Sequence, residues 1–153
     1  MTTVTIKPGD MLEAHTPKGL AYIQYVGRHR EYGDVIRVFQ GHYDHRCTNL
    51  IEVALRPAYI AFYSARAAVK QGLVEYIATV PLAEFVVVPS DLRRAAARAR
   101  SGKVLTWIVE SGTGESLRHE LSESERELPI AAVWDHELLI ERISTGWTPA
   151  QEV

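Results

Sequence analysis

Between Ile6 and Phe39 the chain is cut into short apolar runs by glycine and proline, and this punctuation restricts the fold more than any other feature. Ile6-Lys7-Pro8-Gly9-Asp10 leads into Met11 to Ala14, a Pro17-Lys18-Gly19 turn, Leu20 to Gly27, a charged turn ending at Gly33, and Asp34 to Phe39. Runs of this length, alternating with period two between turn residues, read as antiparallel strands joined by tight turns. Ala21, Ile23 and Tyr25 share one face of such a strand, and Tyr22, Gln24 and Val26 share the other. Val35, Arg37 and Phe39 alternate in the same way with Ile36 and Val38. Both faces are partly apolar, which implies a sheet covered at least in part on both sides. The expected class is α+β and β-rich: a small, strongly curved, antiparallel barrel-like sheet with two or three short helices, in a single domain over 1–153.

Further along, Gly41 to Cys47 is polar and irregular, followed by Leu50 to Leu55, Pro57 and another strand candidate, Tyr59 to Tyr63. Ser64 can cap a short helix running to Gln71, which Gly72 can end in the left-handed conformation. Leu73 to Val80 reads as a strand closed by Pro81, and the apolar run Phe85 to Val88, stopped by Pro89, as a buried strand. Over residues 90–102, Leu92, Ala95, Ala96 and Ala99 fall at i, i+3, i+4 and i+7 behind the N-caps Ser90 and Asp91. That pattern is a helix with Arg93, Arg94, Arg98 and Arg100 mainly on exposed arcs. Val104 to Val109 and Ser116 to Glu120 flank a Gly112-Thr113-Gly114 turn, a hairpin. Ser122 to Glu125 has capping-box spacing and opens a short helix to Leu128. Asp135 can cap a helix carrying Leu138, Leu139 and Ile143 and ended by Gly146, although a strand also fits there. Trp147 would pin the end of the chain by burying its indole.

The 153 residues, 46% apolar and 24% charged, suffice for a real core and lie outside the disordered class. The single cysteine, Cys47, excludes an internal disulfide framework and fits a reducing compartment. Met1 to Thr5 lacks the pattern of a signal peptide, and no apolar run approaches the ~20 residues that span a bilayer. The expected location is cytoplasmic. A net charge of -2 gives no general attraction to nucleic acid or membrane, but the charge is uneven. Residues 1–100 carry 13 Lys and Arg against 9 Asp and Glu; residues 101–153 carry 4 against 10. Two mutually attracting faces account for this split, and an acidic patch for a basic partner is the alternative.

Four groupings bear on chemistry. His42, Asp44, His45 and Cys47 are all metal-capable, yet they come from one short segment, with no second cysteine pair and with Arg46 among them. A polar loop is the simpler reading, with a metal-dependent hydrolase using His42, His45 and Cys47 as an alternative. A cysteine nucleophile at Cys47 would need a histidine to lower its thiol pKa, and lone cysteines are more often small buried hydrophobes. Arg93 to Arg100 can grip phosphate, but without interleaved aromatics they do not make a single-strand nucleic-acid site. Glu115, Glu123, Glu125 and Glu127 offer carboxylates to an arginine-rich partner and show nothing that would raise a pKa for acid catalysis. The turn Arg28-His29-Arg30-Glu31-Tyr32-Gly33 places Tyr32 among charges, where it should be exposed, and an exposed tyrosine flanked by arginine has the composition of a protein interface.

Lys7-Pro8-Gly9-Asp10 with Leu12-Glu13, then Gly19-Leu20-Ala21-Tyr22 and Gln24-Tyr25, resembles the opening of the immunity protein 26 family and its bacterial relatives. Tyr32 to Val38, Ala67 to Gly72, Leu128-Pro129-Ile130, Trp134, Leu139 to Ile143 and Gly146 to Pro149 are similar to the same group. The resemblance implies a small cytoplasmic β-rich protein that neutralises a cognate toxin by binding, with no catalytic residues and no cofactor. For residues 95–100 it implies a strand or loop in place of the helix. The expected function is therefore stoichiometric occlusion of a protein partner. His29, Arg30 and Tyr32, or the acidic residues from Glu115 to Glu127, would form the contact, with no role for nucleic acid or membrane. A regulatory module holding a small ligand in the mouth of the barrel is a further alternative.

Overall fold

The computed structural model describes residues 5–153; residues 1–4, on which the expectation about a signal peptide falls, lie outside the described residues. In chain order the strands are β1 (Asp10–Thr16), β2 (Gly19–His29), β3 (Gly33–Phe39), β4 (Ala58–Tyr63), β5 (Val74–Thr79), β6 (Leu92–Arg98), β7 (Val104–Ser111), β8 (Gly114–Arg118) and β9 (Val133–Trp134). The α-helices are α1 (Leu50–Ala54), α2 (Ala65–Lys70) and α3 (His136–Thr145). The protein is α+β and strand-rich, with small, largely antiparallel sheets. The chain divides into two compact units, one running through Val88 and resuming over Val133–Trp147, the other made of Pro89–Ala132 and Thr148–Val153. No helix among the described residues is long and apolar enough to cross a membrane.

The first unit holds a six-stranded sheet in the order β5-β1-β2-β3-β4-β9, open at both edges and not closed into a barrel. Its pairings are antiparallel except β4 with β9, which is parallel. The β1–β2–β3 meander follows the punctuation of the sequence, with Leu12 opposite Ile23 and Ile23 opposite Val38. Alternation then sorts the side chains. Leu12, Ile23, Tyr25, Ile36, Val38, Tyr59 and Tyr63 pack with Ala65 and Ala68 of α2 and with Leu139 and Ile143 of α3. On the opposite face Met11, Tyr22 and Phe39 pack with Leu50 and Val53 of α1 and with Val80. Both faces are covered, as the two-sided apolar pattern requires. At the bulge after Tyr25, a Cβ on Gly27 would stand 2.9 Å from Cγ2 of Val88, so only glycine admits that approach without a shift.

Helix α3 forms where Asp135 and Gly146 predict one, which settles the helix-or-strand alternative. The Asp135 carboxylate accepts from the Leu138 N–H at 2.8 Å, and Gly146 adopts φ 70°. Two apolar stretches depart from expectation. Leu50 to Leu55 is largely the short helix α1: the Asn49 side chain accepts from the Glu52 N–H at 3.1 Å, Leu50 and Val53 point inward, and Ile51 and Leu55 face out. Phe85 to Val88 is not a buried strand. No strand flanks it, the Val86 N–H is spent on a turn to the Ala83 carbonyl, and Phe85 and Val87 are exposed.

The second unit is a three-stranded antiparallel sheet, β6-β7-β8, around Val104, Trp107, Val109 and Leu121. Residues 92–98 are thus a strand and not an alanine-rich helix. Their ladder to β7 is supplemented on the other side by Pro129–Ala131, through Arg93 N–H to the Pro129 carbonyl and Ala131 N–H to the Arg93 carbonyl. These long-range pairings override a local preference of a few tenths of a kcal/mol per residue. Ser122 and Glu125 close the capping box in both directions, at 2.9 and 3.3 Å, over a single 3₁₀ turn, Glu125–Glu127.

Candidate functional site

The residues singled out in the sequence are mostly engaged with one another. In the β2–β3 turn, His29 Nδ1 accepts from the N–H groups of Glu31 and Tyr32 at 3.1 and 3.3 Å. The His29 and Tyr32 rings pack on each other and on Phe62, with centroids 5.1–5.4 Å apart. Tyr32 is consequently half-buried, not exposed, and serves as a cover for Phe62. Arg30 does project into solvent. In the second unit the acidic residues are partly neutralised: Arg94 binds Glu110 and Glu115, and Arg118 binds Glu125, while Glu123 and Glu127 are exposed. Hydrogen bonds from the Ser122 backbone hold the Glu125 carboxyl below its ordinary value, with Arg118 adding to the effect.

The loop from His42 to Cys47 is fastened by a different residue from those expected. Arg46 forms a double hydrogen bond to the buried Glu13 carboxylate at 3.0 and 3.1 Å and a further one to Glu75. Tyr22 donates to Glu13 at 2.9 Å and accepts from the Cys47 N–H at 2.8 Å. Burial alone would push Glu13 up, but the Arg46 and Tyr22 bonds outweigh it and the carboxyl titrates below the usual range. Among the described residues no three His, Cys, Asp or Glu side chains come together to hold a metal ion.

Open surface chemistry lies instead on the α1 side of the sheet. A groove of about 510 Å³ runs between α1, Pro57–Ala58 and the segment Val80–Phe85. Its rim is apolar and exposed: Ile51 is 64%, Leu55 81% and Phe85 81% accessible, with Val87 at 63% two residues on. Beneath it stands Arg37 on β3, placed by alternation on the same face as Phe39 and opposite Gln24. Arg37 donates to the Gln24 side-chain oxygen at 3.1 Å and stacks 5.0 Å from the Phe39 centroid. Gln24 in turn donates to the carbonyls of Gly9 and Val80, so its amide is fixed from three directions. Burial pushes the Arg37 guanidinium below its ordinary value, and no carboxylate among the described residues pairs with it or with Arg56, which lies over the Tyr43 ring. The arrangement offers apolar contact flanked by two unneutralised cations. The sequence conceals it because Phe85 to Val88 reads as a buried strand, whereas the structure leaves Phe85 in solvent. Asn49, with Leu50 and Val53 three residues apart, is the local signal that would have turned Ile51 and Leu55 outward.

The chain matches no protein-family model, no curated protein and no solved structure.

Proposed function

We propose that this chain is a cytoplasmic protein-binding module that acts by stoichiometric occlusion of a partner, the role of the toxin-neutralising immunity proteins it resembles. The observation that carries this reading is the α1 groove, where Ile51, Leu55 and Phe85 stand in solvent around two arginines that have no carboxylate partner among the described residues. Contiguous exposed apolar side chains beside fixed charges favour a protein surface that is apolar at its centre and acidic at its edge. The polar clusters elsewhere in the same unit bind their own neighbours, as Glu13 does with Arg46 and Tyr22, and supply a scaffold for that surface.

The test is a reconstituted complex. A partner recovered from the source cells is purified, and its affinity is measured against the wild type, Leu55→Glu and Phe85→Glu. Both side chains are exposed, so each variant should keep the wild-type melting temperature. Each should weaken the complex by at least ~30-fold, about 2 kcal/mol for an interface anchor. Co-expression should restore growth to cells producing the partner, and the variants should not. Wild-type affinity in both variants would remove the groove from the interface.

A further inference from the structure

On the other face of the sheet, where β3 and β4 meet the end of α3, a second cavity of about 280 Å³ has a different character. Three of its lining residues each carry a buried polar atom with no hydrogen-bond partner among the described residues: the Tyr59 hydroxyl, His42 Nε2 and Ser144 Oγ. Buried polar atoms are paired in the great majority of cases, and leaving one unpaired costs about 1–3 kcal/mol. Three around one cavity therefore point to a missing partner common to all of them. Tyr59 is only 9% exposed, and burial pushes its phenol up, so it is a donor at neutral pH.

The charge of the walls defines the missing molecule. Lys18 and Arg142 line the cavity and no carboxylate does, among the described residues. The Arg142 guanidinium is held in place between Trp147 and Trp134, 4.1 and 4.6 Å from their ring centroids, a stacking that fixes its direction. Trp147, edge-on to Tyr59 at 5.4 Å, also supplies a flat apolar wall. We infer that this cavity is a binding site for a small organic oxyanion, a carboxylate or phosphate on a short body, with Lys18 taking the charge and Tyr59, His42 and Ser144 taking the polar atoms of the body. The volume is near the lower end for ligand sites, which fits a metabolite and not a peptide. This site is separate from the α1 groove, and its occupancy does not depend on the partner-binding reading.

The experiment titrates 4-hydroxybenzoate, succinate and glycerol 3-phosphate into the protein, with 4-hydroxybenzamide as the uncharged control. Tryptophan fluorescence reports on Trp147 and the melting temperature reports on linkage. At least one anion should saturate in the millimolar range or below and raise the melting temperature, while the amide should bind at least tenfold more weakly. The first two anions against the third decide between carboxylate and phosphate. Tyr59→Phe and Lys18→Gln should each raise the Kd about tenfold, the value of one lost hydrogen bond of ~1.4 kcal/mol. Because its hydroxyl is unpaired, Tyr59→Phe should leave the melting temperature of the free protein unchanged or higher. Saturation by none of the three anions, equal binding of the amide, or undiminished binding by both variants would overturn the assignment.

Discussion

Arg93→Met tests how the β6-β7-β8 unit is held together. Arg93 is 0% exposed, its guanidinium lies 4.4 Å from the centroid of Trp107, and it donates to the carbonyls of Arg126 and Leu128 at 3.1 and 3.2 Å and to those of Pro149 and Glu152. Methionine fills much of the same volume but donates nothing, so the cost comes from the carbonyls and the stacking. The Pro149 carbonyl keeps a second donor, the Glu152 N–H at 3.1 Å. The Arg126 and Leu128 carbonyls have no second donor among the described residues, and orphaning them costs about 1–3 kcal/mol each. Loss of the stacked cation adds about 1 kcal/mol. Relief from burying a charge that Glu152 and Glu127 compensate only in part offsets some of this, leaving a net loss of about 3 kcal/mol. A unit of roughly fifty residues has little more than that to lose. Hydrogen exchange should show the amides of Val104–Ser111 losing about a hundredfold in protection. Arg93→Lys should be nearly as damaging, because an ammonium cannot reproduce the planar fork. Wild-type protection in Arg93→Met would refute the view that the guanidinium organises this unit.

Tyr32→Ala should destabilise the first unit by about 1–3 kcal/mol in urea unfolding, because it uncovers Phe62 and breaks the three-ring cluster. A loss below ~0.5 kcal/mol would return Tyr32 to the free surface that its sequence context implies. Acid sensitivity should appear in two stages. Burial pushes His136 below its ordinary 6.5, so the unfolded chain takes up that proton first and stability starts to fall below pH 6.5. The folded Glu13 carboxyl lies below 4.5, so a second loss begins below pH 4.5 as the unfolded carboxyl protonates. Melting temperatures from pH 7.5 to 3.5 should show the lower stage shrink in Glu13→Gln, and an unchanged lower stage would clear Glu13 of that role.

The elements easiest to read were those whose signals are local and redundant. The β1–β2–β3 meander has glycine or proline at each turn and alternating faces between, and α3 has both Asp135 and Gly146 at its ends. The capping box at Ser122 needed only its spacing. Residues 92–98 misled for a physical reason: alanines at helical intervals are equally compatible with a strand, and the residue that decides the matter is a buried arginine. Arg93 is stabilised inside by carbonyls up to 59 residues away, which no local pattern displays. Apolar content misleads at Phe85 to Val88, where with no neighbouring strand Phe85 and Val87 remain outside and Val86 and Val88 are only half-buried. The groove and the Tyr59 cavity were illegible for a related reason. The groove depends on which apolar side chains are left in solvent and the cavity on which polar atoms end up unpaired, properties of the assembled fold and not of any one segment.

The division of the second unit into Pro89–Ala132 and Thr148–Val153 sets an order of events during synthesis. The β6-β7-β8 strands leave the ribosome before α3, but two of the four carbonyls that receive Arg93 belong to residues 149 and 152, beyond it. Until that segment is released, the arginine has a charge to bury and only half of its acceptors. Residues 148–153 therefore act as a latch whose arrival lets the sheet of the second unit close over its guanidinium, and a chain stalled after α3 presents that sheet to the cell in an unfinished state.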